Sequence, residues 1–341
     1  MEPESKIAVL ITISLSDELI QRLTALSPRL QITVLPAHHA EDVPPEVWQT
    51  TEVLYTSTVL PDPDSVPHLR WVQFHWAGID FAAADPLLQQ PELRITTLSG
   101  AGSLQVAEYA VAMMLALAHR LPALSSYQSH QEWPSDRSKE LSPQELRDAT
   151  VGLVGYGSIG REIARILQPF HVTILAAKHD VFHPEDAGYA PAGTGDPEGH
   201  LFTRLYPIQA LNTMLPDCDF VVVSLPLTSE TDHLFGNAAL SAMKPGSYLV
   251  SVGRGKVIDE TALIQALQEG KIGGAALDVF EEEPLPKDSP LWTLPNVIVT
   301  PHVAGFSKRY NERAIELFSE NLRRYMEGAP LYNTFDIHRG Y

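Results

Sequence analysis

Residues 150–167 read TVGLVGYGSIGREIARIL. Thr150–Val154 is an apolar run of strand length, and Ile159–Leu167 brings its apolar residues round at helical spacing. Between them sits the turn Gly155-Tyr156-Gly157-Ser158-Ile159-Gly160. Gly-x-Gly-x-x-Gly is a weak signal alone, but placed between a strand and a helix it acquires a mechanism. The first glycine permits a tight turn, the second lets a pyrophosphate approach the backbone, and the third lets helix and strand pack closely. The helix start then offers unpaired N–H groups and a positive dipole end to phosphate. This stretch predicts a dinucleotide-binding unit.

The pattern extends outward on both sides. Downstream, short apolar runs at 172–177, 220–224, 248–251, 274–278 and 297–300 join Thr150–Val154 as six parallel-type strands. That makes a doubly wound α/β sheet of Rossmann type. Upstream, runs at 7–13, 32–35, 53–55, 70–74 and 94–97 predict a second α/β layer, with a helix over 17–26 behind the cap candidate Ser16. Gly100–Gly102 breaks that rhythm, and residues 104–121 read as a long helix apolar on nearly every face, hence buried at an interface. Residues 125–142 are polar and read as helix-poor, 309–326 as a closing amphipathic helix, and the Gly/Pro-rich 180–207 as a solvated surface insertion.

Composition bounds the partners. The 341 residues suggest about two domains at roughly 150 each. With Lys+Arg 24 against Asp+Glu 42 the net charge is −18, which argues against a nucleic-acid or anionic-membrane surface. The longest strongly apolar stretch, Tyr109 to Ala118, stops well short of the ~20 residues a membrane span needs. Ile7–Leu15 has no basic leader, so it reads as a strand, not a signal peptide. The single cysteine, Cys218, asks for no oxidising compartment, and the cytoplasm is the expected location. His38-His39 reads as surface and His75 as lining of a cleft; no metal site is expected, because no second ligand cluster accompanies them.

Four charged positions carry chemistry. An NAD-binding unit expects Asp or Glu at the end of its second strand, about 20 residues past the turn, to hold the adenosine ribose. Here that strand ends in Lys178-His179. Lysine cannot accept those hydrogen bonds but can neutralise a 2′-phosphate, which favours NADP(H) and leaves NAD(H) possible, with Asp180 a candidate for the ribose. Arg254 follows one strand within Val252-Gly253-Arg254-Gly255, Glu283 follows another, and His302 a third. Ligands of open α/β sheets bind outside the carboxyl ends of strands, so three complementary side chains at three such ends converge on one expected site.

These segments resemble the D-isomer-specific 2-hydroxyacid dehydrogenases over nearly the whole chain, most densely from Val151 to Gly305. The resemblance rests on the glycine turn, on Val223-Ser-Leu225-Pro226-Leu-Thr228, on Met243 through Gly255, on Gly274 through Pro284, and on Thr300-Pro-His302-Val-Ala-Gly305. It implies that Arg254 grips the carboxylate and C2 carbonyl of a small 2-oxo acid, that His302 donates or accepts the proton, and that Glu283 orients it. It further implies that Asp278 bonds the nicotinamide carboxamide, that Ser103 faces the nicotinamide, and that the backbone of Trp76-Ala77-Gly78 holds the substrate carboxylate. A nucleotide domain over 104–303, a smaller flavodoxin-like substrate domain over 1–103 and 304–341, and a homodimer contact through the 104–121 helix also follow from it. Lys178, the 180–207 insertion and Ser251 in place of a common Asn depart from the family pattern.

Two neighbouring readings share this fold. Formate dehydrogenases pair the histidine with Gln, where this chain has Glu283. NAD(H)-sensing corepressor-like binding proteins keep similar Arg, Glu and His residues, and turnover of glyoxylate or hydroxypyruvate separates them from an enzyme.

Overall fold

The computed structural model describes residues 6–337, 339 and 340. The chain divides into two compact units, Met1–Gly102 with Ser307–Tyr341, and Ser103–Phe306.

Among the described residues the first unit carries five strands: β1 (Ile7–Ile11), β2 (Leu30–Val34), β3 (Val53–Thr56), β4 (Trp71–Phe74) and β5 (Arg94–Thr96). They pair in the order β2-β1-β3-β4-β5, all parallel, the flavodoxin-like arrangement. β3 and β4 are buried along their whole length, as befits a parallel sheet covered on both faces. The helix Tyr310–Glu327 packs Ile315, Phe318 and Leu322 into the same core as Val9, Tyr55 and Trp71, and stops at Gly328, whose φ of 69° closes the last turn. Ser16 stands at the N-cap of the helix Asp17–Thr24, yet its side chain makes no capping bond. His75 is buried after β4, with Nδ1 2.7 Å from the Tyr55 hydroxyl.

The second unit has seven strands, not six: β6 (Thr150–Val154), β7 (Thr173–Lys178), β8 (Arg204–Pro207), β9 (Phe220–Val223), β10 (Tyr248–Ser251), β11 (Gly274–Leu277) and β12 (Val297–Val299). Their order is β12-β11-β10-β9-β6-β7-β8, again all parallel. The extra strand, β8, lies in the stretch read as insertion. It is a four-residue edge strand ending in proline, too short to show a period and tolerable only at an edge. The chain order reverses between β6 and β9, the switch point where such sheets bind ligands.

The apolar helix runs Ser103–Ala118 and breaks at Arg120, which takes a left-handed φ of 54°. Val106, Ala110, Val111 and Met114 share a core with Ile163, Ala164 and Leu167, so packing within this unit accounts for much of that apolar face. Residues 125–142 are not helix-poor: helices Leu121–His130 and Arg137–Glu140 occupy most of the segment. Pro122 sits in the first turn, where its missing N–H costs nothing, and Asp136 caps the second helix through the Lys139 N–H. Among the described residues no helix is long and apolar enough to cross a membrane, and no group of His, Cys, Asp and Glu is placed to hold a metal.

Candidate active site

The glycine turn leaves β6 and opens the helix Ser158–Leu167. Gly155 has a φ of +102°, a conformation costly for any other residue. A Cβ on Gly160 would lie 2.2 Å from the Gly155 carbonyl oxygen, so only glycine lets the helix start this close to the strand. At Gly157, by contrast, a Cβ would meet nothing within 4 Å. The backbone faces open space at the helix N-terminus, and Gly157 places no side-chain cap on it. That geometry fits a pyrophosphate. Ser103, the first residue of the apolar helix, lines the same narrow cavity as Ser158.

Tyr156 and Ile159 turn their side chains inward. Tyr156 is buried, and its hydroxyl donates to Asp196 Oδ2 at 2.7 Å. Ile159 packs against the unit's core. Either can offer a ligand its backbone.

At the end of β7, Lys178 donates from Nζ to the His183 carbonyl at 2.7 Å. Burial first, and then the nearby Arg161 guanidinium, hold its pKa below the usual lysine value. Asp180 accepts from the Phe182 N–H at 2.9 Å and faces His183 Nδ1 at 2.6 Å in its own turn. His179 is exposed, 3.6 Å from Glu230. On the other side of the switch point, Leu225 and Pro226 leave β9, and a Cβ on Gly253 would meet the Leu225 carbonyl oxygen at 2.5 Å. The Leu225 and Val252-Gly253 loops therefore abut.

The three candidate catalytic residues leave three adjacent strands. Ser251 of β10 pairs with Leu277 of β11, and Leu277 with Val299 of β12, so their carboxyl ends lie level and the loops bearing Arg254, Glu283 and His302 emerge side by side. A Cβ on Gly255 would overlap the Phe280 carbonyl, which shows how tightly the Arg254 loop rests on the Glu283 loop. Arg254 is half-buried, with Nη1 donating to the Gly253 carbonyl at 3.1 Å.

Glu283 and His302 form a direct pair, Nδ1 to Oε2 at 2.7 Å. The other carboxylate oxygen of Glu283 accepts from the Phe280 N–H at 3.0 Å. An ionised carboxylate only accepts, so Nδ1 carries the hydrogen and Nε2 is left for proton exchange.

His302 has a left-handed φ of 52°, unusual for a residue with a side chain. Buried Asp278 holds it there. Its carbonyl accepts from the His302 N–H at 2.9 Å, Oδ1 accepts from Val303 N–H and Thr300 Oγ1, and Oδ2 accepts from Ala304 N–H. Asp278 thus anchors the histidine loop, with one lone pair of Oδ2 left over for a carboxamide. Sequence reasoning missed Tyr109 and Thr300. The Thr300 hydrogen goes to Asp278, so the Tyr109 hydroxyl donates to Thr300 Oγ1 at 2.5 Å, and burial pushes Tyr109 up to about 12. A tyrosine at the seventh position of an apolar helix shows nothing in sequence of a partner at residue 300.

Trp76, Ala77 and Gly78 belong to the first unit, past the carboxyl end of β4. Trp76 and Ala77 are exposed, and the Trp76 carbonyl accepts from Leu98 N–H at 2.9 Å.

Comparison with known proteins adds an independent line. The model of the D-isomer specific 2-hydroxyacid dehydrogenase NAD binding domain matches residues 111–304. Glyoxylate/hydroxypyruvate reductase B of Escherichia fergusonii is 32% identical over 328 residues, spanning 95% of this chain and 96% of that one. (S)-Sulfolactate dehydrogenase of Chromohalobacter salexigens is 35% identical over 258 residues, 76% of this chain and 78% of that one. Among solved structures, a D-isomer specific 2-hydroxyacid dehydrogenase from Xanthobacter autotrophicus Py2, in complex with NADPH and MES, aligns with a TM-score of 0.78 at 28% identity, covering 99% of this chain and 100% of that one.

Proposed function

The chain belongs to the D-isomer specific 2-hydroxyacid dehydrogenase family, and from that premise we propose that it reduces a small 2-oxo acid to the D-2-hydroxy acid, with NADP(H) favoured over NAD(H). The observation that carries this reading is the 2.7 Å His302–Glu283 pair, set beside the Arg254 loop at the ends of adjacent strands.

The dinucleotide, held by the 155–160 turn, supplies a hydride to the carbonyl carbon when bound. The protein's own groups do the rest. Arg254 binds the substrate carboxylate and the carbonyl oxygen with its planar fork of donors. As negative charge grows on that oxygen, the guanidinium stabilises it and His302 delivers the proton from Nε2. Glu283 fixes the tautomer, so that Nε2 is the atom that gives the proton up. In the reverse direction the neutral imidazole is the base. In this reading the first unit is the substrate domain and residues 104–303 are the nucleotide domain.

The NADP(H) preference rests on Lys178, whose ammonium has two donors beyond the one given to His183. The relative crystallised with NADPH supports it. Glyoxylate and hydroxypyruvate are the favoured substrates, from the named activity of the Escherichia fergusonii relative. The exposed Leu121, Leu124 and Trp133 suit a homodimer contact.

A panel of 2-oxo acids assayed with NADPH and NADH tests the reading, with hydroxypyruvate giving a chiral product. We expect turnover to the D-enantiomer and a higher kcat/KM with NADPH. A clear preference for NADH removes Lys178 from the cofactor site. Dinucleotide binding with no turnover of any acid would reject the reductase and favour a sensor.

A further inference from the structure

The segment between β7 and β8 is built unlike a solvated loop. Three charged side chains near it are buried: Arg161 and Glu162, which directly follow Gly160, and Asp196 in the segment itself. Arg161 donates to the carbonyls of Asp196 and Pro184, and its Nε lies 3.3 Å from Asp186 Oδ2. Glu162 accepts from the Gly195 N–H at 2.6 Å and pairs with Arg165. Asp196 accepts from the Tyr156 hydroxyl and from the N–H groups of His200 and Leu201, at 2.7, 2.9 and 3.0 Å. Among the described residues Arg161 Nε has only its ion-pair contact with Asp186 and no hydrogen bond, but the other buried charged atoms of the cluster are bonded, as charges taken out of water require. Ordering so many residues without helix or strand carries a large entropic cost. The location shows what the ordering serves. Ser158, which opens the glycine-turn helix, lines one cavity together with Ser103 and with Asp186, Thr194 and Gly195 of the docked segment. The same segment also holds Lys178 through the His183 carbonyl.

We infer that residues 183–197 form the outer wall of the dinucleotide site, pinned to the glycine-turn helix by the Arg161–Asp196–Tyr156 cluster, and that Asp196 is a positioning residue for the cofactor. This rests on the glycine turn binding a dinucleotide, not on which acid is reduced. Pre-ordering the wall removes an entropic cost from binding, so loosening it weakens binding without removing any phosphate contact.

The test is Asp196→Asn in the full chain. The amide replaces one acceptor with a donor facing an N–H or O–H group. Tyr156→Phe, which deletes a single bond of the pin, serves if the first variant does not fold. NADPH and NADH are titrated by nucleotide fluorescence without substrate, and KM is measured for each reactant. We expect the dissociation constant and KM for NADPH to rise about tenfold for Asp196→Asn and about threefold for Tyr156→Phe, with KM for the 2-oxo acid unchanged. Dissociation constants within twofold of the parent in folded variants, or equal rises in both KM values, would overturn the inference. A parent chain that binds dinucleotide but reduces no 2-oxo acid rejects the proposed reaction alone, since the binding constants still decide the role of the wall. A parent that binds neither dinucleotide overturns both.

Discussion

At the scale of single residues, the decisive feature is which atom of His302 faces Glu283. The Phe280 N–H already donates to Glu283 Oε1, and Oε2 faces His302 Nδ1. Glu283→Gln therefore sets the two neighbours against each other. If the amide oxygen keeps the Phe280 bond, the amide NH₂ points at Nδ1, which must then be a bare lone pair, and the imidazolium is excluded. If the amide flips, its NH₂ opposes the Phe280 N–H and leaves a donor unpaired. The first outcome damages reduction more than it damages substrate binding, and the second keeps the imidazole bond only at the cost of the unpaired Phe280 donor. Positioned proton transfer is commonly worth ~10²–10⁴-fold, so kcat for 2-oxo acid reduction should fall by about 10²-fold in Glu283→Gln, with KM for the acid little changed. Steady-state kinetics in the reducing direction checks it, and a kcat within twofold of the parent would take Glu283 out of the mechanism.

At the scale of elements, the buried end of β4 carries a pH dependence. Burial pushes His75 down to about 4, so it is neutral in the fold, its Nδ1 facing the Tyr55 hydroxyl. In the unfolded chain it titrates near ~6.5. Between those values the unfolded chain binds more protons than the folded one, so stability from this site is complete above ~6.5 and is lost as pH falls towards 4. The loss amounts to roughly 3 kcal/mol at most. The drop in Tm between pH 7.5 and 5 should accordingly be smaller in His75→Asn than in the parent; an equal drop would mean His75 contributes nothing to it. His75 also marks the limit of sequence reading. The glycine turn and the three loops after β10, β11 and β12 were legible because each is a local string whose spacing states its geometry. Tyr55 beneath His75, Asp196 beneath Tyr156, and Thr300 beneath Tyr109 were not, because each pair joins elements far apart in sequence through one hydrogen bond, which leaves no period. β8 escaped for a different reason: four residues at a sheet edge, ending in proline, carry no alternation to detect.

At the scale of the whole molecule, the charge works against the proposed reactants. A chain of net charge −18 must attract a polyanionic dinucleotide and a carboxylate substrate. The long-range field of such a protein repels both, while Arg254 and Lys178 act only at short range. Salt distinguishes the two contributions, because screening shortens the reach of exposed charge from ~30 Å at 0.01 M to ~8 Å at 0.15 M ionic strength. If the summed charge governs encounter, the association rate of NADPH rises as salt is added across that interval, the opposite of steered binding to a basic cleft. A rise of about twofold or more in the stopped-flow association rate is the expected result, with a non-binding anion and cation as the added salt. A fall over the same interval would mean that the cationic groups at the ends of β7 and β10 focus the field strongly enough to outweigh the acidic surface, and the approach of the cofactor would then be steered by the site itself.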